Sequence, residues 1–278
     1  MHASWLTPDW PAPAGVRALF TSRHGGVSAV PYDSLNLGDH VGDASELVLA
    51  NRHLLRKRLG VRPVFLQQVH GSQVVTLAGT MPDGLQADAC LSTQRDVACC
   101  IMVADCLPVL FARTDGTAVA AAHAGWRGLA GVGGPHGIGV LESVFAAFQA
   151  SFMPPDPSNR TRQAIKIIAW IGPCIGPTVF EVGPEVKAAF ETVQPEAGRL
   201  FAPHGPGKYL ADLPGLARLR LQALGITQIY GNDGSAPWCT VSNPARFFSH
   251  RRDADIRLNG SGNGFGSTGR MAACIWLE

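Results

Sequence analysis

The sequence contains little charge. Asp, Glu, Lys and Arg make up 16% of the 278 residues, below the roughly 25% of an average globular protein. The 23 basic and 21 acidic side chains leave a formal net charge of +2. So small a charge argues against a broad electrostatic surface for nucleic acid or for a membrane. We therefore expect a small-molecule partner, and no nucleic-acid or membrane partner.

Long apolar runs, a secretory signal and a disulfide framework are also missing. The longest uncharged stretches, such as residues 167–180, are interrupted by Gly and Pro and fall short of the roughly 18 apolar residues of a membrane span. Residues 1–15 lack a basic start followed by an apolar run. Seven cysteines are an odd number without the spacing of a small disulfide scaffold. These features predict a cytoplasmic protein with reduced thiols.

No internal repeat and no long linker divides the chain, so we expect one domain over residues 1–278. The 32 Gly and 20 Pro residues indicate many tight turns and disfavour coiled coils and helical solenoids. Segments 154–162 and 259–267 lack an apolar pattern. We expect a surface loop for the first, and a lid or a disordered loop for the second.

The apolar patterns predict an α+β fold, because helices and strands alternate without a regular βαβ period. Asp43 is expected to cap a helix that runs to Leu59 and ends at Gly60, with Glu46 in the capping-box position. Between residues 63 and 123 several short β-rich runs are apolar throughout, which indicates a sheet buried on both faces. Further elements are expected as strands at 16–22, 165–171 and 226–230, as helices from 140 to about 152 and at 184–193 and 212–224, and as a Gly-rich loop at 125–139.

Three side chains that can bind a metal stand where apolar strands give way to turns: His70, Cys106 and His123. Side chains at strand ends can converge in space although the spacings of 36 and 17 residues match no zinc-finger pattern. Two imidazoles and one thiolate suit a zinc ion with one open coordination position, and Asp105 could orient one of these ligands. The alternative is that the histidines are buried, satisfied polar groups. Cys90, Cys99 and Cys100 are expected to be small core residues.

Several sequence blocks resemble the laccase-domain family, whose members have been called polyphenol oxidases, purine nucleoside phosphorylases and peptidoglycan-editing factors. The blocks are TSRHGGVS, SLNLGDHVGD, QQVHGSQV, ADCLPVLFA, AAHAGWRGLAGV, IGPCIGPTVFEVG, NPARFFSHRRD and TGRMAACIWL. The resemblance covers nearly the whole chain in order. It implies a single α+β domain with mixed β-sheets flanked by helices, and a zinc site on His70, Cys106 and His123. Segments 131–139 and 254–267 depart from the family pattern, and both are expected to border the substrate pocket.

The resemblance also implies a reaction. Adenosine, inosine, guanosine or S-methyl-5'-thioadenosine would react with phosphate to give the base and a sugar 1-phosphate, with adenosine deamination as a second activity. Arg23 and Arg127 are candidates for binding phosphate or an oxyanion, because a guanidinium offers two parallel donors. Asn36 is a candidate for binding the base or the sugar. Cys174 and the pair Phe247 and Phe248 are expected to be packing residues.

Three alternatives stay open. Cys106 could act as a nucleophile with His123 as its base, and the resemblance to peptidoglycan-editing factors would then imply removal of L-serine from a cell-wall precursor. Copper could replace zinc on the same ligands. Resemblance to multicopper enzymes would require about eight histidines, usually in His-x-His pairs. This chain has nine histidines in all and no such pair, which argues against a multicopper polyphenol oxidase. A purely structural zinc ion would predict thermal destabilisation on metal removal without any turnover.

Overall fold

Two large β-sheets lie face to face, and helices cover their outer faces. The computed structural model describes residues 5–134, 137–151, 166–255 and 267–278. Within these ranges the strands, in chain order, are β1 Val16–Phe20, β2 Arg62–Phe65, β3 Val74–Leu77, β4 Ala89–Ser92, β5 Val97–Val103, β6 Leu107–Arg113, β7 Val119–Ala124, β8 Ile167–Ile171, β9 Glu181–Val182, β10 Phe201–Pro203, β11 Tyr209–Ala211, β12 Ile229–Gly231 and β13 Met271–Leu277.

The α-helices connect or flank these strands. They are α1 Ser45–Leu59, α2 Trp126–Ala130, α3 Val140–Ser151, α4 Pro184–Glu191, α5 Leu213–Ala223 and α6 His250–Asp255, and two 3-10 turns span Pro195–Leu200 and Ala236–Trp238. No helix in the described ranges combines the length and the apolarity that crossing a membrane requires.

Both large sheets mix parallel and antiparallel pairs. The first has the order β1-β13-β5-β2, with β2 parallel to β5 and the other pairs antiparallel. The second has the order β12-β8-β6-β7-β4-β3, with parallel pairs only at its two edges. A small antiparallel sheet, β10-β11-β9, stands apart from them. The expected α+β fold with mixed sheets flanked by helices is confirmed.

The core has three layers of apolar contacts. Alternate residues of β5 point to opposite faces of their sheet, as the two-residue period of a strand requires. Cys99 and Ile101 join the layer between the two large sheets, whereas Cys100 and Met102 join the layer beneath α1. A third layer packs the outer face of the six-stranded sheet against α3, α4 and α5. All seven residues of β5 are buried, which confirms the prediction of a sheet covered on both faces.

Several predicted boundaries differ from the structure. Helix α1 ends at Gly60 in the left-handed conformation, as expected, but the capping role of Asp43 is wrong: Ala44 precedes the helix, and no side chain caps it. The Asp43 carboxylate instead accepts hydrogen bonds from Ser28 Oγ (2.7 Å) and Asn36 Nδ2 (2.9 Å), so the preceding loop uses it.

Other differences are smaller. The short helix α2 lies inside the segment 125–139 that was expected to be a loop, and β12 begins at Ile229 rather than at Ile226. Asp212 does cap α5 by accepting from the Gly215 amide (2.9 Å). Segment 154–162 and residues 259–266 lie outside the described residues, as does Phe152.

Candidate metal centre and active site

The fold brings His70, Cys106 and His123 together. Cys106 stands in the turn that joins β5 to β6, and His123 is the penultimate residue of the neighbouring strand β7. His70 comes from the loop between β2 and β3. One ligand atom from each side chain lies within 4.8 Å of the other two. The predicted convergence of these strand-end side chains is therefore confirmed.

The three donors differ in exposure. Cys106 Sγ lies 3.7 Å from His70 Nε2, and the two imidazole rings meet edge to face with 4.7 Å between their centroids. His123 is only 3% exposed, whereas His70 is on the surface and Cys106 is half-buried. A small molecule must therefore approach from the side of His70.

Asp88 organises this cluster, and the sequence reasoning missed it. Its side chain is fully buried, and its Oδ1 accepts from His123 Nδ1 (2.8 Å) and from the His70 amide (2.9 Å). Oδ2 accepts from the amides of Val69 (3.2 Å) and Gly71 (2.7 Å). One carboxylate thus orients the His123 ring and shapes the loop of His70. The sequence did carry one signal, because Asp88 is an acidic residue inside an otherwise apolar run. A carboxylate buried in this way needs several hydrogen-bond donors.

In the described part of the chain Asp105 makes no hydrogen bond to His70 or His123, so the prediction that it orients a ligand applies to its neighbour Cys106. Its buried carboxylate accepts from Thr240 Oγ1 (2.5 Å), Ser249 Oγ (3.0 Å) and the Arg251 amide (2.6 Å). Asp105 also has a positive φ of 88°, as His70 does at 62°, a conformation that is uncommon for residues other than glycine. Asp105 therefore ties the turn that carries Cys106 to the segment 240–251.

Two glycines make room for the ligands. A Cβ atom on Gly125 would lie 2.9 Å from His70 Cδ2 and 3.2 Å from Cys106 Sγ. A Cβ atom on Gly128, in α2, would lie 2.6 Å from the carbonyl oxygen of Gly71. The Gly-rich sequence after His123 therefore lets the backbone pass close to all three donors.

The pKa values of Cys106 and His123 are shifted in opposite directions, which favours a thiolate next to an imidazolium in the metal-free protein. Burial raises the pKa of the Cys106 thiol, but the His123 charge and hydrogen bonds from both histidines outweigh it and bring that pKa down to about 6. Burial disfavours charged His123, but the Cys106 thiolate and Asp88 raise its pKa to about 9. Near neutral pH the pair is thus thiolate and imidazolium, and the thiolate is the form that binds metals or attacks carbonyl groups.

The predicted substrate-binding residues occupy different surroundings. Arg127 is exposed, follows the His123 strand directly, and lies over the Trp126 ring with 4.4 Å from Cζ to the centroid. Arg23 is held by Asp33 (Nη2 to Oδ1, 3.0 Å; Nε to the backbone carbonyl, 2.9 Å) and by the carbonyl of Pro244. Substrate contact by Arg127 stays a prediction, whereas the Arg23 guanidinium already donates through all three of its nitrogens.

Asn36 is fully buried. Its Nδ2 donates to the Gly38 carbonyl (3.1 Å) and to Asp43, and its Oδ1 accepts from the amides of Gly38 and Arg270 (2.9 Å each). These bonds give Asn36 a structural role in holding two loops together. The remaining singled-out residues pack in the core as expected: Cys90, Cys99, Cys100, Cys174, Phe247 and Phe248.

Comparisons with known proteins agree with the resemblance in sequence. The family described as multi-copper polyphenol oxidoreductase laccase matches residues 17–278. The Pseudomonas aeruginosa protein named purine nucleoside phosphorylase PA4543 is 46% identical over 99% of both chains. The Escherichia coli protein named purine nucleoside phosphorylase YfiH is 45% identical over 98% of both chains.

Two solved structures share the fold. Neisseria meningitidis protein NMB0706, described as a member of the family DUF152, has a TM-score of 0.82 and 44% identity, and the match covers 99% of both chains. YlmD from Geobacillus stearothermophilus has a TM-score of 0.81 and 31% identity, over 100% of this chain and 97% of the other. On these matches, which span nearly its full length, the chain belongs to the laccase-like family.

Proposed function

We propose that this protein is a zinc-dependent purine nucleoside phosphorylase. It would convert adenosine, inosine, guanosine or S-methyl-5'-thioadenosine, together with phosphate, into the base and a sugar 1-phosphate, and it would also deaminate adenosine. The observation that carries the proposal is the cluster of His70, Cys106 and His123. The names of relatives at 45–46% identity support it.

The donor set fits zinc. Two imidazole nitrogens and one thiolate are common zinc ligands, and three protein ligands leave one position for water or substrate. Ligand atoms on a tetrahedral zinc ion stand roughly 3.3 to 3.8 Å apart, and the 3.7 Å between Cys106 Sγ and His70 Nε2 lies in that range. When bound, zinc supplies a Lewis acid that stabilises developing negative charge and lowers the pKa of water.

The protein's own residues prepare this site. Asp88 accepts from His123 Nδ1 and thereby presents Nε2 to the metal. Cys106 is a thiolate near neutral pH, so only His123 must lose a proton when the metal binds. Arg127 is exposed and follows Gly125 by two residues, and its guanidinium would bind phosphate or the substrate. A phosphate held against the anomeric carbon would attack as the purine leaves, with no covalent bond to the protein.

The seven cysteines support a reducing compartment. All seven are free thiols, and free thiols persist where glutathione and thioredoxin systems keep them reduced. We therefore propose a cytoplasmic location, where purine nucleosides and phosphate would both be available to it.

Metal analysis combined with product analysis tests the proposal. Protein loaded with zinc should release adenine and ribose 1-phosphate from adenosine only when phosphate is present, and inosine with or without phosphate. Cys106→Ser should lose both the metal and both activities. If the metal-loaded protein produces neither adenine with ribose 1-phosphate nor inosine, the proposal fails. The bound metal, zinc or copper, is read from the same sample.

A second candidate function is cysteine-dependent amide hydrolysis, and one observation favours it. Cys106 would be the nucleophile and His123 its base, and Asp88 is the carboxylate that orients the His123 ring. The thiolate would attack the carbonyl carbon, His123 would give its proton to the leaving amine, and water would hydrolyse the thioester. A peptidoglycan precursor ending in L-serine is the substrate that the family resemblance suggests. Full amide hydrolysis by the wild type in excess chelator would favour this function, because a thiolate bound to zinc is a poorer nucleophile.

Polyphenol oxidation has less support. Within the described residues, His70, Cys106 and His123 form the one group of three or more potential metal ligands. A multicopper site needs several such groups. A single copper ion on the same three side chains stays an alternative to zinc, since two histidines and a cysteine can also bind copper.

A further inference from the structure

Arg270 lies beside the turn that carries Cys106. The last strand, β13, begins at Met271, and Met271 pairs with Val103 at the end of β5. The chain at Arg270 therefore runs next to residues 104–106. Its amide donates to Asn36 Oδ1 (2.9 Å) and its carbonyl accepts from the Leu37 amide (3.1 Å). These bonds fix the backbone of Arg270 at the edge of the site.

The Arg270 side chain is packed on one side and open on another. A Cβ atom on Gly38 would lie 2.7 Å from Arg270 Cγ, so the stem of the side chain rests against that glycine. Nη1 donates to the carbonyls of Thr268 (2.8 Å) and Gly269 (3.4 Å). Nε and Nη2 make no hydrogen bond to any described residue and are not sealed from solvent. Nε and Nη2 form one edge of the guanidinium, the edge that binds an oxyanion through two parallel bonds.

The charge of Arg270 has no carboxylate partner within 4.0 Å among the described residues. Two other arginines of limited exposure do have one: half-buried Arg52, whose Nη2 lies 3.2 Å from Asp39, and buried Arg220, whose Nε lies 3.5 Å from Glu142. Burial of a guanidinium without a counter-charge costs free energy. Burial lowers the pKa of Arg270, and the nearby Cys106 and Asp105 oppose that change. The Asp105 carboxylate is already used by Thr240, Ser249 and Arg251.

The neighbouring loop does not supply a free carboxylate to Arg270. Burial is the largest cause of the lowered pKa of His40, and the charge of Arg270 is the second. The His40 ring therefore lies near the Arg270 guanidinium. His40 Nδ1 lies 3.5 Å from Asp39 Oδ1, but Asp39 also pairs with Arg52. With its pKa lowered, His40 is neutral near neutral pH, and Asp39 already pairs with Arg52. A bound anion would therefore balance the charge of Arg270.

We propose that the free edge of Arg270 binds inorganic phosphate in the candidate active site, next to Cys106. This inference rests on the proposed phosphorolysis for its substrate, and it names the residue that would hold the phosphate. Arg270 would bring the anion close to the three metal-binding side chains, whereas Arg127 would act from the exposed side. The same edge suits any tetrahedral dianion, so sulfate should compete with phosphate.

Direct binding measurements test the proposal without any need for turnover. Phosphate is titrated into metal-loaded protein at constant ionic strength, and its affinity is measured by calorimetry for the wild type, Arg270→Gln and Arg270→Lys. We expect affinity to fall at least tenfold in Arg270→Gln, and less in Arg270→Lys, which keeps the charge but not the fork. Arg58→Gln is the control, because Arg58 is exposed in the last turn of α1, which leads to the opposite end of β5; it should bind as the wild type does.

The outcomes separate this inference from the proposed function. If the wild type cleaves no nucleoside but Arg270→Gln still loses phosphate binding, the anion site stands and phosphorolysis fails. Affinity equal to the wild type in either Arg270 variant overturns the inference, and Arg270→Lys decides if Arg270→Gln does not fold. Binding of acetate but not phosphate would assign this edge to a carboxylate and also overturn it. If phosphorolysis occurs, Arg270→Lys should raise the KM for phosphate more than the KM for the nucleoside.

Discussion

His123 Nδ1 lies 2.8 Å from Asp88 Oδ1, and the same carboxylate accepts the backbone amide of His70. One buried group therefore orients the His123 ring and holds the backbone of His70, although it stands 35 residues from the first and 18 from the second. Because Nδ1 donates to Asp88, His123 has only Nε2 left for a metal.

Asp88→Asn is expected to weaken zinc binding by roughly 10-fold to 100-fold. Asparagine keeps the shape of the side chain, but it carries no charge and places an NH2 group against amides that need an acceptor. Competition with a chromogenic chelator measures the affinity. Asp115→Asn is the matched control, since Asp115 is a carboxylate that accepts from Thr117 in the turn between β6 and β7. Zinc affinity equal to the wild type in Asp88→Asn would contradict the role of this carboxylate.

The metal-binding side chains were predictable because strand ends are visible in a sequence. Cys106 and His123 follow short apolar runs, and the structure places both at the same end of paired strands. The partners of a buried carboxylate are not visible in this way. Asp88 and Asp105 both stand beside apolar runs, and only the fold decides that the first contacts a histidine and the second contacts residues 240–251.

Asn36 and Asp43 also make contacts that the sequence did not predict. Each fitted a familiar local role, substrate binding for one and helix capping for the other. The structure joins them to each other (2.9 Å) and joins Asn36 to Arg270, which is 234 residues away. Short-range sequence patterns carry no information about such contacts, so these hydrogen bonds could not be predicted. Substrate binding by Asn36 stays a prediction.

Zinc binding should release about one proton between about pH 6 and about pH 9. In this window Cys106 has already lost its proton, because its pKa is lowered to about 6, and His123 still carries one, because its pKa is raised to about 9. Zinc requires the neutral imidazole, so its apparent affinity should rise with pH up to about 9 and then level off. Calorimetry at one pH near 8 in buffers of different ionisation enthalpy measures the proton count. No proton release there would contradict the ion pair of Cys106 and His123.

Gly125→Ala should abolish tight zinc binding and leave the fold nearly intact. The added methyl group would lie 2.9 Å from His70 Cδ2 and 3.2 Å from Cys106 Sγ, closer than van der Waals contact permits for the first. One donor must then move away from the other two. Gly183→Ala is the control, because the three atoms nearest to a Cβ there all belong to the flexible end of Glu185. Metal content and circular dichroism of both variants check this, and a fully loaded Gly125→Ala protein would contradict it.

The Asp105 carboxylate is expected to stabilise the turn that carries Cys106, whereas the positive φ of Asp105 costs free energy. Asp105→Ala loses three hydrogen bonds and keeps a φ of 88° that alanine disfavours, so the free energy of unfolding should fall by about 3 to 5 kcal/mol. Asp105→Gly loses the same hydrogen bonds but accepts that φ, and it should be about 1 kcal/mol more stable than Asp105→Ala.

Urea unfolding of the two Asp105 variants, of Thr240→Val and of the Asp105→Gly, Thr240→Val pair separates these contributions. Thr240 Oγ1 donates to Asp105 over 2.5 Å, so the double variant should lose less stability than the sum of its single variants, by about 1.5 to 3 kcal/mol. The rate of Cys106 alkylation in the metal-free protein gives an independent readout. Its dependence on pH should change in Asp105→Gly, because the thiol no longer sits at a fixed distance from His123. Additive stabilities and an unchanged alkylation profile together would show that Asp105 does not position Cys106.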